Sequence, residues 1–118
     1  MRNLKITNRC DKYGRRVGLW EVYYDNGNLE SNGFYINGLC EGVFNYYHSN
    51  GVLYTRGSFK DGERDGLWES YDPNGVISSK GEYINDNKDG IWKYYDDNGV
   101  LHSIGSYENG HYLKDIEI

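Results

Sequence analysis

The segment with the most metal-like spacing in this 118-residue chain runs from Asn85 to Gly90. Its Asn, Asp and Asn side chains alternate as they do at the start of a calcium loop, and Asp96 stands where such a loop places a bidentate glutamate. No helix is predicted on either side, and aspartate is a poor substitute for glutamate at that place. We therefore interpret the similarity as accidental and predict no metal and no cofactor.

Catalytic side chains show none of the spacings that the common reactions require. The chain has no nucleophile elbow, no phosphate loop and no paired acid and base. Its histidines, His48, His102 and His111, are scattered, and each is interpreted as structural or solvent-exposed. We predict a protein without catalytic residues that is not an enzyme.

Three carboxylates, Glu41, Asp65 and Asp89, each stand directly before a repeated glycine. In a repeating sheet they would line up along one rim, where they could attract a basic partner. The alternative interpretation is a set of solvated turn carboxylates that favour solubility. The acidic balance of the chain does not choose between the two.

Composition limits the class of partner and the compartment. The formal charge of −5 argues against nucleic acid or an anionic membrane as the main ligand, because both recruit Lys and Arg. No apolar signal region or spanning segment of roughly twenty residues is evident, so we expect a cytoplasmic protein. Cys10 and Cys40 lack a C-x-x-C spacing and are expected to be reduced, although the sequence leaves one bridge between them open.

A glycine recurs every 24 residues, and this regularity is the strongest signal in the sequence. Each repeated glycine is followed by an aliphatic residue and a large ring, and then by a tyrosine, an Asn-Gly turn, a second glycine and a further ring. The glycines are Gly18, Gly42, Gly66 and Gly90; the large rings are Trp20, Phe44, Trp68 and Trp92; the second glycines are Gly33, Gly57, Gly81 and Gly105. Asn-Gly between two apolar runs predicts a β-hairpin in every unit.

A two-residue loop at Asn26 and Gly27 would place Trp20 opposite Gly33 across the hairpin. Without a Cβ, the glycine leaves room for the facing ring to lie flat over the backbone. The same pairing would set Phe44 over Gly57 and recur in each unit, so we expect ladders of identical rings.

The predicted fold is all-β: an elongated, single-layer antiparallel β-meander of tandem hairpins, with about ten strands and a length of roughly 45 Å. Four units span 18–41, 42–65, 66–89 and 90–113, and partial units at 1–17 and 114–118 complete one domain. Asp86 stands where the other connections carry glycine, so this connection is expected to bend differently. Ile116 falls on the place of the large ring.

Residues that interrupt the repeat are the candidates for partner binding. The rings that recur in every unit form the core of a chain with so few aliphatic residues, whereas Tyr and Trp at variable places suit binding hot spots. The predicted partner-binding residues are Tyr24, His48, Asp72 and Asp96 at one variable place, Tyr46 and Tyr94 at another, and Glu41, Asp65 and Asp89 on the rim.

The repeated unit resembles the MORN-repeat variant found in many bacterial proteins. The resemblance is carried by Gly18-Leu19-Trp20, Tyr23-Tyr24 and Asn26-Gly27, and by the same elements of the last unit from Gly90 to Gly99, and it covers 18 to about 113. It implies hairpin sheets that serve as protein-binding scaffolds, including antitoxins and immunity proteins.

From this resemblance we expect a non-catalytic module that neutralises a protein partner, such as a basic toxin, by steric occlusion. One alternative is a phage-encoded inhibitor of a host defence or nucleic-acid enzyme, in which carboxylates imitate phosphates. A second is a lipid-binding scaffold, as eukaryotic relatives of the repeat suggest, but the chain offers no polybasic stripe. The oligomeric state stays open.

Overall fold

A computed structural model describes residues 6–118 as one antiparallel sheet in which every strand pairs with the next along the chain. The strands are β1 (Arg9–Cys10), β2 (Arg16–Tyr23), β3 (Leu29–Ile36), β4 (Leu39–Tyr47), β5 (Leu53–Lys60), β6 (Glu63–Tyr71), β7 (Ile77–Ile84), β8 (Asn87–Tyr95), β9 (Leu101–Glu108) and β10 (His111–Ile116). The molecule measures 56 × 30 × 24 Å. The predicted elongated all-β meander is confirmed; the first five residues of the predicted N-terminal partial unit lie outside the described residues. Within 6–118 no helix is long and apolar enough to cross a membrane.

The turn inside each unit has three residues rather than two. In the first unit the N–H of Tyr24 donates to the carbonyl of Asn28 (2.8 Å), and the N–H of Gly27 donates back to the carbonyl of Tyr24 (2.9 Å). Gly27 has a φ of 90°, whereas Asn26 keeps an ordinary negative φ. The expected two-residue loop at Asn26 and Gly27 is therefore wrong, because one left-handed glycine after a tight turn is enough to reverse the chain.

The added loop residue is absorbed by a β-bulge close to the turn. Register shifts between Val22 and Tyr23, so that Tyr23 and not Tyr24 faces Leu29. Beyond the bulge the predicted pairing holds, and Trp20 faces Gly33 as expected. The error thus remains confined to the residues next to the turn.

Two-residue turns join one unit to the next, and both of their residues have positive φ. Asn37 and Gly38 have φ values of 50° and 83°, and Asn85 and Asp86 have 49° and 70°. The expectation that Asp86 bends the chain differently is therefore wrong. Asp86 adopts the left-handed conformation without being glycine, and Arg64 Nε donates to its carboxylate at 2.5 Å.

The core is a single file of rings. Phe44, Trp68 and Trp92 are 3%, 6% and 4% exposed and are the buried large hydrophobic residues among 6–118. The rings at the second ring position of the repeat stand edge-on between them. The ring centroid of Phe59, for example, lies 5.1 Å from that of Phe44 and 5.2 Å from that of Trp68. The expected ladder of identical rings is wrong, because edge-to-face contacts alternate the two ring positions of the repeat.

Phe44, Trp68 and Trp92 each cover a glycine, but the glycine belongs to the preceding unit. A Cβ added to Gly57 would come within 2.0 Å of the Trp68 indole, and one added to Gly33 within 2.4 Å of the Phe44 ring. Phe44 does face Gly57 in register, yet its ring leans the other way. The expected cover of Gly57 by Phe44 is therefore wrong. The same lean places the Nε1 of Trp68 within 3.1 Å of the carbonyl of Ser58, which accepts its hydrogen bond.

The C-terminal strand does not continue this pattern. A β-bulge between Tyr112 and Lys114 sets Asp115 opposite Gly105 and Ile116 opposite Ile104. Ile116 therefore misses the place of the large ring. The rings of Tyr107 and Tyr112 approach Gly105 instead, at 3.2 and 3.5 Å from an added Cβ.

Candidate protein-binding faces

The sheet presents two faces of different chemistry, because successive side chains of a strand point to opposite sides. The aromatic face carries Trp20, Phe44, Trp68 and Trp92 with the rings between them. The aliphatic face carries Leu19, Val43, Leu67 and Ile91, one residue before each large ring. Since the described strands form one layer, both faces are open to a partner.

Exposed apolar side chains and carboxylates meet on the aliphatic face. Val43, Leu67 and Ile91 remain 48%, 46% and 47% exposed. Asp89 lines a shallow depression together with Leu67 and Ile91. Glu82, Lys80 and Lys93 line the same depression, so the surface is apolar at its centre and carries charges of both signs beside it.

The three predicted rim carboxylates lie in strands β4, β6 and β8 at the same distance from each strand's start. Glu41 faces Phe34 across the strands, and Asp89 faces Glu82 in the same way. Glu41 also accepts the backbone N–H of Asp61 at 2.9 Å, which fixes its side chain against the neighbouring turn. The carboxylates are thus part of the aliphatic face.

The residues at the first variable place form hydrogen bonds between turns of neighbouring units or within their own turn. Tyr24 donates its hydroxyl to the carbonyl of Tyr47 in the next unit, and His48 Nε2 lies 2.8 Å from the carbonyl of Tyr71, to which it donates. Asp72 accepts two N–H groups of its own turn, from Asn74 and Val76, at 2.9 and 3.0 Å.

Asp96 repeats this arrangement in the fourth unit, where its carboxylate accepts the N–H groups of Asn98 and Val100. All four predicted residues, from Tyr24 to Asp96, therefore have structural hydrogen bonds. Their role in binding a partner stays a prediction.

The second variable place lies on the aromatic face. Tyr46 stacks between Phe44 and Trp68, with centroids 6.2 and 6.5 Å away, and Tyr94 stacks on Trp92 at 6.5 Å. Burial, with smaller contributions from the neighbouring thiol and phenol, raises the pKa of Tyr46 to about 12. Tyr46 is thus a packed, neutral ring at physiological pH.

Tyr94 meets a second hydroxyl across the strands. Its oxygen lies 2.9 Å from the hydroxyl of Tyr107, and this hydrogen bond, with a smaller contribution from burial, raises the pKa of Tyr107 above its usual value.

A row of cations on the aromatic face was missed by the sequence analysis. Arg16 lies 4.1 Å from the Trp20 ring, Arg64 4.2 Å from the Tyr83 ring and Lys88 4.5 Å from the Trp92 ring. These residues stand four places before the large rings, so the 24-residue spacing itself would have found them. Cys40 occupies the same place in the second unit, and it and Cys10 are free thiols.

The segment with calcium-loop spacing forms a turn and a strand. Asn85 and Asp86 make the two-residue turn, and Asp89 and Asp96 lie near opposite ends of the β8 hairpin arm. Among residues 6–118, no group of three or more His, Cys, Asp or Glu side chains is arranged to hold a metal ion.

Four consecutive hairpins in one open sheet, joined by large rings that lie over the glycines of the preceding unit (Phe44 over Gly33, Trp68 over Gly57 and Trp92 over Gly81), define a tandem β-hairpin repeat protein. The chain belongs to the MORN repeat variant family, whose model matches residues 16–37, 41–61, 64–85 and 88–109. Proteins built from this repeat are generally non-enzymatic modules. Among curated proteins, none matches this chain.

Proposed function

We propose that this protein is a non-catalytic binding module that masks a partner protein by steric occlusion, most naturally as an antitoxin or immunity protein. The observation that supports it is the row of half-exposed aliphatic side chains Val43, Leu67 and Ile91 on an uncovered face. Contiguous exposed apolar surface on a soluble domain is typical of protein interaction sites.

Charge on the same face favours a basic partner. Glu41, Asp65 and Asp89 lie along this face, so a partner that presents Lys or Arg opposite them would be complementary there, and carboxylates of that partner would pair with Lys80 and Lys93 of the same depression. A rigid sheet also loses little conformational freedom on binding, which favours affinity. A basic toxin that presents Lys or Arg around an apolar centre is such a partner.

Affinity capture from the native host tests the proposal. The wild-type chain should retain a stable protein partner, and the double variant Leu67→Lys with Ile91→Lys should lose it. Val100→Lys is the matched control, since Val100 is 60% exposed but lies just after a hairpin turn. Co-expression should restore growth of cells that carry the captured partner.

The proposal fails if the wild-type chain retains no stable partner. It also fails if the aliphatic-face variant, folded by circular dichroism and thermal melting, captures the partner as well as the wild type does.

The acidic row supports a second candidate, an inhibitor that imitates the phosphates of nucleic acid to block a host defence or nucleic-acid enzyme. The two candidates differ in what the carboxylates do. Combined neutralisation of Glu41, Asp65 and Asp89 to the corresponding amides should abolish inhibition by phosphate imitation. Inhibition that survives this change would exclude imitation and leave occlusion by the apolar row.

A further inference from the structure

The third unit lacks a ring that the second and fourth units possess, and its absence opens a cleft. Tyr46 fills the interval between Phe44 and Trp68, but the equivalent residue between Trp68 and Trp92 is Ser70. A cleft of about 240 Å³ lies there on the aromatic face. We infer that this cleft binds the carboxylate of an Asp or Glu side chain in an extended segment of a partner protein.

The walls of the cleft are fixed by ring packing. Trp68 and Trp92 border it, and Tyr83 stands between them in edge-to-face contact, at centroid distances of 6.0 and 5.1 Å. Because both indoles are almost fully buried in the file of rings, the walls do not depend on a ligand for their position. A cleft with preformed walls costs little ordering when it is filled.

The charged side chains that line the cleft favour a ligand with a single negative charge. Arg64 and Lys88 both line it. Arg64 is paired with Asp86, whereas Lys88 forms no ion pair with any of the described residues. Two cations and one carboxylate leave a net charge of +1, which matches one carboxylate better than a doubly charged phosphate.

The ammonium of Lys88 is held in place by rings and one hydroxyl. It lies 4.5, 5.4 and 5.0 Å from the ring centroids of Trp92, Tyr94 and Tyr107, and it donates to the Tyr94 hydroxyl at 3.0 Å. An ammonium has three N–H donors, so two remain for a ligand. A carboxylate is the acceptor that such a cation binds most strongly.

Hydroxyl groups continue from the cleft across the sheet. Consecutive strands place one hydroxyl-bearing side chain each in direct cross-strand register: Ser31, Tyr46, Thr55, Ser70, Ser79, Tyr94 and Ser103. Ser70 donates to Thr55 and Thr55 to the carbonyl of Glu69, both at 2.9 Å, which leaves the oxygen of Ser70 free to accept. The Ser79 hydroxyl has no hydrogen-bond partner in the part of the chain that the structure describes.

This row favours a peptide over an isolated acid. Hydroxyls can donate to or accept from the backbone of an extended chain that crosses the strands, while the acidic side chain enters the cleft. The cleft lies on the face opposite to Leu67 and Ile91, so this inference goes beyond the proposed function. Either one can fail without the other.

A random-peptide display library tests the inference on the full-length chain. The library is first depleted on the Ser70→Tyr variant, which restores the ring of the second and fourth units and fills the cleft, and is then selected on the wild type. The peptides recovered should share one Asp or Glu. Exchange of that residue for its amide should weaken binding by at least about tenfold, as expected for the loss of a charged hydrogen bond.

Variants of the protein complete the test. Ser70→Tyr and Lys88→Gln should each weaken the selected peptide by at least about tenfold. Val22→Tyr introduces the same ring at the equivalent place of the first unit and should leave affinity unchanged. Thermal melting confirms that each variant is folded, and Lys88→Gln serves if Ser70→Tyr does not fold.

Three results would overturn the inference. The first is a selection that yields no peptides, or peptides without a shared acidic residue. The second is equal affinity for the wild type and for a folded Ser70→Tyr or Lys88→Gln variant. The third is displacement of the peptide by inorganic phosphate but not by acetate, which would assign the cleft to a phosphate group.

Discussion

The indole of Trp68 lies against the backbone of Gly57 so closely that a Cβ on this glycine would come within 2.0 Å of it. The two residues belong to different units, so the contact joins the second hairpin to the third. Repeat proteins are stable when neighbouring units bury a surface that neither could bury alone. Here that surface is one ring and one glycine, repeated along the sheet.

Replacement of Gly57 by valine should therefore displace Trp68 and lower the free energy of unfolding by about 1–3 kcal/mol, the usual cost of added volume in a packed site. Chemical denaturation measures the change. Gly105→Val is the control, since its nearest ring atom lies 3.2 Å from an added Cβ, and it should cost less.

A double-mutant cycle identifies the ring that meets Gly57. The effects of Gly57→Val and Trp68→Ala should be non-additive, because removal of the indole also removes the clash. Effects of Gly57→Val and Phe44→Ala should be closer to additive, although Phe44 faces Gly57 in register. If the effects were non-additive with Phe44→Ala and additive with Trp68→Ala, the ring that contacts Gly57 would be that of Phe44.

The sequence was sufficient for the fold class, the strand order and the register beyond the turns, because the spacing of glycines and rings repeats without interruption. It was insufficient for the direction in which each ring leans. Gly57 has a large aromatic residue opposite it on both neighbouring strands, Phe44 and Trp68, and spacing alone cannot distinguish two partners at equal register. Side-chain packing and the hydrogen bond to Ser58 decide between them.

Turn chemistry was the second point at which the sequence analysis failed. Asn26-Gly27 has the composition of a two-residue turn, but the true two-residue turns are the connections, one of which is Asn85-Asp86 without glycine. The candidate faces were likewise only partly predictable. The rim carboxylates were recognised from their spacing, whereas the cleft depends on an absent ring at Ser70, which becomes visible only when Trp68 and Trp92 are placed on either side.

His48 should stabilise the junction between the second and third units. Its ring donates to the carbonyl of Tyr71, and His48→Ala would leave that carbonyl without this donor, at a cost of about 1 kcal/mol in unfolding free energy. His48→Asp should cost less, because an aspartate at this place in the third and fourth units accepts N–H groups of its own turn. Equal destabilisation by both substitutions in urea denaturation would contradict this account.

Asp86 has a left-handed backbone conformation, and its ion pair with Arg64 should make the stability of the fold sensitive to acid. The hydrogen bond from Arg64, opposed by slight burial, lowers the pKa of Asp86 below its ordinary value of 3.8. A carboxylate with a lowered folded pKa stabilises the fold above the unfolded pKa and loses this contribution as pH falls through the folded pKa. Asp86→Gly removes both the ion pair and the left-handed strain.

The stability of Asp86→Gly relative to the wild type should therefore rise as the pH is lowered from about 5 to about 2. Denaturation at the two pH values measures this difference, and Arg64→Gln is the control, because it too removes the acid-sensitive pair. A difference between wild type and Asp86→Gly that does not change with pH would show that the pair does not stabilise the fold.

The raised pKa of Tyr46 predicts that the stability of the fold is also sensitive to alkali. Its pKa is raised from 10.0 to about 12, first by burial, so the unfolded chain ionises this phenol before the folded protein does. The contribution of Tyr46 to stability is thus complete below pH 10 and is lost as the pH rises from there toward 12. Tyr46→Phe should therefore lose less unfolding free energy than the wild type between about pH 9 and about pH 11.

The matched control is Tyr13→Phe, since Tyr13 is 70% exposed and lies outside the file of rings. Ultraviolet titration of phenolate absorbance provides a second measurement, in which Tyr46→Phe removes one group from the late part of the curve. If the wild type and Tyr46→Phe lose stability in parallel across this range, the ring of Tyr46 is not shielded between Phe44 and Trp68 as the structure shows.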